Sequence, residues 1–378
     1  MSTAHLLMEW GYAVIVVDPG PVGGAMTQRT TAHISNSVDD GWRALVPAVG
    51  TRAAALAAAA YAAGAARIAL VQEQHHIACD FTWIDGYLVG NSQDRVELAY
   101  EKCAAEQAGI RDVDWLQHSP LPGDPDAIGL RFPGQARLHP LNYLNGLARV
   151  FRAGGGVVRR ATVTEVRGGR QAQVRTKEGF TLHAGVAVVL ANNSQSQFDV
   201  KRRPQALYTS YALAAEIPEG AAPDAAMWDL EDPYHYVRLQ PVEGRNLILI
   251  GGEDHPADEP ADAGARFARL ERWARRNFPA LGAVAARWSG NIKQTDDNLG
   301  FMGRSGIAHN VFVIDGDGGL GFNHATIGAL IIGDLIQNRP NPWAEIFDPL
   351  RAPAADPLRT KNHAEGDERK SAAEPGLH

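Results

Sequence analysis

At 378 residues, 45% of them hydrophobic and 21% charged, the chain is long enough for one large domain or two ordinary ones with an ample core. Its 36 basic and 43 acidic side chains leave a net charge of -7, so no global basic field exists to attract nucleic acid or an anionic membrane. Two cysteines, Cys79 and Cys103, are too few for a disulfide framework or a four-thiolate metal site, and a reducing cytoplasm is expected.

The opening residues read as a helical end, Thr3 to Trp10, a turn at Gly11 and a β-branched run, Ala13 to Val17, closed by Asp18-Pro19-Gly20. A run apolar on both faces predicts a parallel strand covered by helices on each side. Helix, tight turn, strand and terminal acid make the second half of a βαβ unit. No charged leader with an apolar core and cleavage site stands here, so export is not expected. After a glycine- and threonine-rich loop, residues 43–75 read as helical. Within them the alanine run from Ala53 to Ala66 is too short and weakly apolar for a membrane span.

Short strands are expected from Cys79 to Gly90, a charged helix from Gln93 to Gln107, and a loop from Ser119 to Asp126. Residues Pro140 to Arg152 place Leu141, Leu144, Leu147, Ala148 and Phe151 on one helical face. Two strands run through Gly156 to Val166, a hairpin turns at Lys177-Glu178-Gly179, and a buried strand spans Val186 to Ala191. Residues 207–252 alternate like antiparallel strands, Ala263 to Phe278 is a helix, and Val284 to Ile292 is a strand. A buried strand, Val311 to Ile314, then leads through a glycine loop into a helix carrying Ile327, Leu330, Ile331 and Leu335. The stretch from about Pro349 lacks periodicity and reads as disordered. This order predicts an α/β nucleotide-binding domain over 1–78, 139–205 and 296–348, interleaved with a substrate domain of mixed and antiparallel sheet over 79–138 and 206–295, and a tail over 349–378.

Asp18 ends the predicted strand where a dinucleotide fold places an acid against ribose hydroxyls, although an Asp before Pro-Gly also serves simply as a turn residue. The glycine fingerprint belongs roughly 20 residues ahead of that acid. Counting back passes Met1. The loop Gly23-Gly24-Ala25-Met26-Thr27-Gln28-Arg29-Thr30-Thr31-Ala32-His33 combines close backbone approach with hydroxyls, a guanidinium and an imidazole; it can wrap a pyrophosphate or stand as a solvated, capped loop. Gly316, Gly318, Gly319, Leu320, Gly321 and Phe322 lie between a buried strand and a helix, where backbone amides can hold negative charge. Glu73, His75, His76 and Cys79 lack the spacing of a metal site, and Trp228, Trp288 and the Asp296-Asp297 pair read as core and solvated turn.

The ordered series VIVVDPGPVGGAMTQRTTAHIS, FPGQARLHPLNYLNGLARVF, DPYHYVRLQP, GGEDH, RWSG and VFVIDGDGGLGFNHATIGALIIGDLI closely resembles the FAD-dependent oxidoreductases of the D-amino acid oxidase superfamily. It looks most like the branch whose members often carry a C-terminal Rieske domain, over about residues 2 to 350. The Rieske signature, Cys-x-His with a later Cys-x-x-His, is absent from this sequence. The resemblance implies bound FAD and oxidation of a small amine or amino acid by hydride transfer, and leaves the electron acceptor and any catalytic acid or base open.

By the same resemblance the loop from Gly24 to Thr31, which includes Met26, Thr27, Arg29 and Thr30, lines the flavin. Val163 sits against the adenosine, and Ala191-Asn192 closes the second nucleotide segment. Thr30-Thr31-Ala32-His33 is similar to a Thr-Thr-x-His that joins flavin covalently in some relatives, hydrogen bonding by His33 being the alternative. Tyr234, Tyr236 and Arg238, on one face of an alternating strand, are the expected substrate contacts, with His235 on the other face; ordinary aromatic packing is the competing reading. Without the fingerprint, the chain is expected to form a sheet short of one strand and to bind FAD poorly. An FAD-free protein acting as a binding module or scaffold is the alternative function.

Overall fold

The computed structural model describes residues 1–38, 40–191, 205–242 and 244–352. The chain opens with α1 (Ser2–Glu9), turns at Gly11 with φ +85° and enters β1 (Ile15–Asp18). After the glycine-threonine loop comes β2 (His33–Ile34). The stretch expected to be one helix is two, α2 (Trp42–Val49) and α3 (Thr51–Gln74). Gly50 between them takes φ +83°, a left-handed conformation that ends one helix and lets the next leave in a new direction.

Next come β3 (Thr82–Gly90), α4 (Arg95–Gln107), β4 (Asp114–Trp115) and β5 (Ile128–Arg137). α5 (Pro140–Ala153) starts on a proline that needs no amide partner, and the His139 ring accepts from the Asn142 amide as its cap. β6 (Val157–Arg160) precedes a three-stranded meander, β7 (Val163–Arg167), β8 (Ala172–Thr176) and β9 (Thr181–Ala184), and then β10 (Val188–Ala191). The remaining elements are β11 (Gln205–Glu216), β12 (Ala225–Asp229), β13 (His235–Val242), β14 (Arg245–Pro256), α6 (Ala263–Asn277), β15 (Val284–Thr295), β16 (Phe301–Arg304), β17 (Val311–Asp315) and α7 (Gly321–Ile336). α6 is capped by Asp262, which accepts from the Ala265 amide, and ends on Arg275 and Arg276, favourable charge for a helix C-terminus.

Eight strands run in the order β15-β11-β14-β13-β12-β3-β5-β2, with β4 added beside β5; the β12–β3 pair is parallel and its neighbours antiparallel. This is the large mixed sheet of a mixed α/β fold. The helical side carries two parallel pairs, β1 with β6 and β10 with β17, the latter extended by antiparallel β16. Among the described residues β1 pairs with β6 alone. Its expected burial on both faces is therefore not reached, and Ile15 is 51% exposed.

α3 is long and apolar enough to cross a membrane by length and composition, with mean hydropathy 1.7 over an 18-residue window. It packs instead against α2, α7 and β5, with Ala54, Ala57, Ala60, Tyr61 and Ile68 fully buried. Small residues permit that closeness. A β-carbon on Gly64 would stand 3.1 Å from Ile327, and one on Gly328 would collide with Ile314. At the far end of α3, His75 Nε2 lies 3.1 Å from His5 Nε2 and 3.7 Å from Glu9, which Arg67 also pairs, so α1 is tied to α3 by polar contacts. The segment after α7 stays attached through Arg351, whose guanidinium grips Asp297 at 2.7 and 2.8 Å and lies over Phe301. Asp297 is accordingly buried, not part of a solvated turn.

Candidate active site

A cavity of about 360 Å³ opens between the two halves of the fold. Its walls come from the first turn of α1, the loop from Met26 to Val38, the side of α5 at Tyr143 and Leu144, the segment from Ile314 to Ala325, and one face of the large sheet.

Met26, Thr27, Arg29, Thr30, Thr31 and His33 all line this cavity. Residues Met26–Gln28 form one 3-10 turn, and the Thr30 hydroxyl accepts from the Ala32 amide at 3.0 Å, holding Ala32 at φ +54°. Arg29 locks the loop to the sheet: its Nη1 donates to the Ser289 carbonyl at 2.7 Å, and Trp288 Nε1 donates to the Arg29 carbonyl at 2.7 Å. Both nitrogens of His33 are engaged, Nδ1 with the Thr31 hydroxyl at 3.2 Å and Nε2 with the Val237 carbonyl at 3.3 Å. Its ring meets Tyr236 edge to face, and burial, aided by nearby Arg238, pushes its pKa down to about 3. Gly23 and Gly24 do not line the cavity. Gly23 takes φ +81°, and a β-carbon there would touch Leu141 on α5 at 2.9 Å, so this glycine serves the turn and its packing.

Gly316, Gly318, Gly319, Leu320, Gly321 and Phe322 line the cavity too. Gly316, Gly318 and Gly319 take φ +68°, +49° and +81°, and the Gly318 amide donates to the Lys293 carbonyl at 3.0 Å. Nothing lies within 4 Å of a β-carbon built on Gly318, and on Gly319 the nearest atom is Ile292 Cδ1 at 3.8 Å. The loop thus presents bare backbone to open space at the start of α7, whose N-terminus has no side-chain cap. Uncapped amides at a helix start favour negative charge.

Composition and spacing gave no sign of the charges around that loop. Asp315, its side chain fully buried, is held by Lys293 Nζ at 2.8 Å, and Asp317 lines the cavity beside it. Burial first, and the Asp315 charge second, raise the Asp317 carboxyl to about 6. His324 lines the wall as well, sharing a 2.9 Å hydrogen bond with the Tyr61 hydroxyl, and burial lowers its pKa to about 3.

On the sheet side Tyr234 and Tyr236 line the cavity with ring centroids 5.9 Å apart, and Trp228 and Trp288 complete an aromatic wall with Met227 beside it. The two tryptophans, read from sequence as core, face the cavity. Arg238 shares the face of Tyr236 on β13 but stands one step too far along it. It is 0% exposed, and its guanidinium donates to the carbonyls of Thr31, Leu138 and Leu239 and to Gln240 Oε1. That corrects its expected role: four committed donors make it a strut beneath the Thr31 turn, with no fork left to grip a carboxylate. His235 faces the opposite side, stacked on Trp273 of α6 and bonded to Asp229 at 2.9 Å.

Of the residues expected around a nucleotide, Ala191 lines the cavity. Asp18 lies outside it and accepts from the Gly20 amide at 2.7 Å, closing its own turn. Val163 begins β7, paired with Thr176 and away from the cavity. Asn192 falls outside the described residues.

The FAD dependent oxidoreductase family matches residues 1–335. A curated relative, the putative Rieske 2Fe-2S iron-sulfur protein YhfW of Bacillus subtilis (strain 168), is 23% identical over 361 residues, spanning 93% of this chain and 69% of that protein. Among solved structures, glycine oxidase from Geobacillus kaustophilus is similar with a TM-score of 0.75 at 18% identity, covering 93% of this chain and 95% of that one. L-amino acid deaminase from Proteus vulgaris gives 0.74 at 16% identity (93% and 90% covered), and L-proline dehydrogenase from P. horikoshii gives 0.71 at 16% (92% and 93%).

Proposed function

Since the chain belongs to the FAD-dependent oxidoreductase family, we propose that it oxidises a C–N bond of a small amine or amino acid. One observation carries this reading: a single cavity joins the bare glycine loop at the start of α7 to the aromatic wall of Tyr234, Tyr236 and Trp228. The residues fit the cofactor. Side chains are missing at Gly318 and Gly319, where a flat ring system needs room, and the Thr27, Thr30 and Thr31 hydroxyls supply hydrogen-bond partners for phosphate and ring edges.

Bound there, FAD supplies the electron acceptor as the substrate amine becomes an imine. The protein's own part is orientation and exclusion of water. The two tyrosines and Trp228 form an apolar, π-rich surface for an amine, and the uncapped amides in the first turn of α7 supply fixed dipoles. The neutral imidazole of His33 holds Thr31 and the β13 backbone together without adding charge.

The test is anaerobic mixing of FAD-loaded protein with a panel of primary, secondary and α-amino acid amines. Bleaching of the flavin absorbance by some of them is the expected outcome, and flavin that none of them reduces removes the reading. A second reading, a binding protein without redox turnover, is favoured by the separation of the β1–β6 and β10–β17–β16 sheets. Failure of the purified protein to take up FAD at all would support it.

A further inference from the structure

A second cavity, of about 100 Å³, adjoins the first, and Trp228, Tyr234 and Ile292 line both. Among the described residues its charged lining is five carboxylates, Asp40, Asp229, Glu231, Asp232 and Asp254, against one guanidinium, Arg43. That guanidinium is already spoken for by Glu97 at 2.7 Å and Glu101 at 3.6 Å. Three of the carboxylates have internal explanations: Asp229 holds His235, Glu231 pairs with Arg276, and Asp40 accepts from the neutral amides of Gln294 and Asn298. Asp232 is exposed at the rim.

Asp254 is met by hydroxyl groups and, among the described residues, by no cation in contact. Glu253, before it in β14, takes φ +58° and sends its carboxylate to Arg269 of α6 at 2.7 Å, while Asp254 lines the small cavity. The neutral hydroxyls of Ser210 and Tyr234 act on its carboxylate. A carboxylate drawn out of water with only neutral donors lacks the opposite charge that a cation in the cavity would supply. Burial accordingly raises the group to about 6, with Arg266 and His235 pulling the other way.

We propose that this acidic cavity is a subsite for a second cationic group of the substrate, so that the preferred substrate is an amine bearing another ammonium a few methylenes away. The inference rests on the amine-oxidising reading of the larger cavity. A space of this volume takes several waters, or one ammonium with its last methylenes. Tyr234 and Trp228, shared by both cavities, offer ring faces to the connecting chain and its charge. The reacting amine then lies on the glycine-loop side and the distal ammonium meets Asp254.

The experiment compares 1,4-diaminobutane with 1-aminobutane on the FAD-loaded protein, in steady-state turnover and in thermal shift without turnover. The diamine is expected to show a KM lower by about tenfold, the size expected of one hydrogen bond to a charged group, and a larger rise in Tm. In Asp254→Asn the diamine-to-monoamine ratio of KM should collapse towards one. Asp232→Asn, at the exposed rim, should move it the same way by less, and serves if the buried variant does not fold. Equal KM values in the wild type, or equal losses for both amines in Asp254→Asn, overturn the subsite. If neither amine reduces the flavin, the thermal shift still decides: a diamine-specific rise that depends on Asp254 keeps the subsite while the oxidase reading falls, and equal shifts for both amines overturn the subsite.

Discussion

Lys293 and Asp315 meet beneath the glycine loop, and neither was visible as a site in the sequence because they lie 22 residues apart in unremarkable strands. With the Asp315 side chain fully buried and Lys293 only 16% exposed, the pair resembles those whose disruption leaves an uncompensated charge. Lys293→Met is expected to lower unfolding free energy by about 3–5 kcal/mol. Lys293→Met with Asp315→Asn should recover much of it, as read by urea denaturation in a double-mutant cycle. The histidines give a pH dependence of definite sign. His33 and His324 are each held near 3, well below the ordinary 6.5, so between those values the unfolded chain binds more protons than the folded one. Stability from these groups is full above about pH 6.5 and is lost as pH falls towards 3. Urea midpoints measured at pH 7.5 and 5 should therefore drop on acidification, and the drop should be smaller in His324→Gln.

α2 illustrates how an element can be foreseen without its supports. The helical reading of residues 43–75 covers most of it, yet Gly41 at its N-cap brings no side chain, and the amides of Trp42 and Arg43 are both satisfied by the Glu101 carboxylate of α4 at 2.9 Å. Burial raises the Glu101 carboxyl and these amide bonds with Arg43 oppose the shift. Glu101→Ala should cost about 1–3 kcal/mol, since it strands two amides at a positive helix end, and Glu101→Gln should cost less. Calorimetric unfolding of the two variants orders them, and equal Tm values for wild type and Glu101→Ala would rule the cap out. β13 shows the complementary limit. Period-2 alternation correctly put Tyr234, Tyr236 and Arg238 on one face and His235 on the other, but a period says nothing of depth along the strand. The turn at Thr31, about 200 residues earlier, covers Arg238 and leaves the tyrosines open.

Across the whole molecule, what was legible followed from local chemistry: helices with one apolar face, the turn at Gly11, a glycine loop between strand and helix. The identity of the cavity-lining residues on the loops at 26–33 and 316–322 was also legible, because few backbones need such density of glycine and hydroxyl. The walls drawn from distant segments were not. Trp228 and Trp288 have the composition of core residues, and only the curl of the large sheet turns them towards the cavity. The second cavity likewise needs β11, β12, β14, β15 and the loop before α2 to meet, and no window of sequence contains that meeting.

The apolar length of α3 has a consequence in time. Its partner α7 begins roughly 250 residues further along the chain, so during synthesis at about 5–20 residues per second the helix waits tens of seconds for the surface that covers it. A nascent chain in that interval displays a segment with the hydropathy of a lipid-spanning helix to whatever meets it at the ribosome exit, and its fate is decided by competition between holding chaperones, targeting factors and the arrival of Ile327 and Ile331.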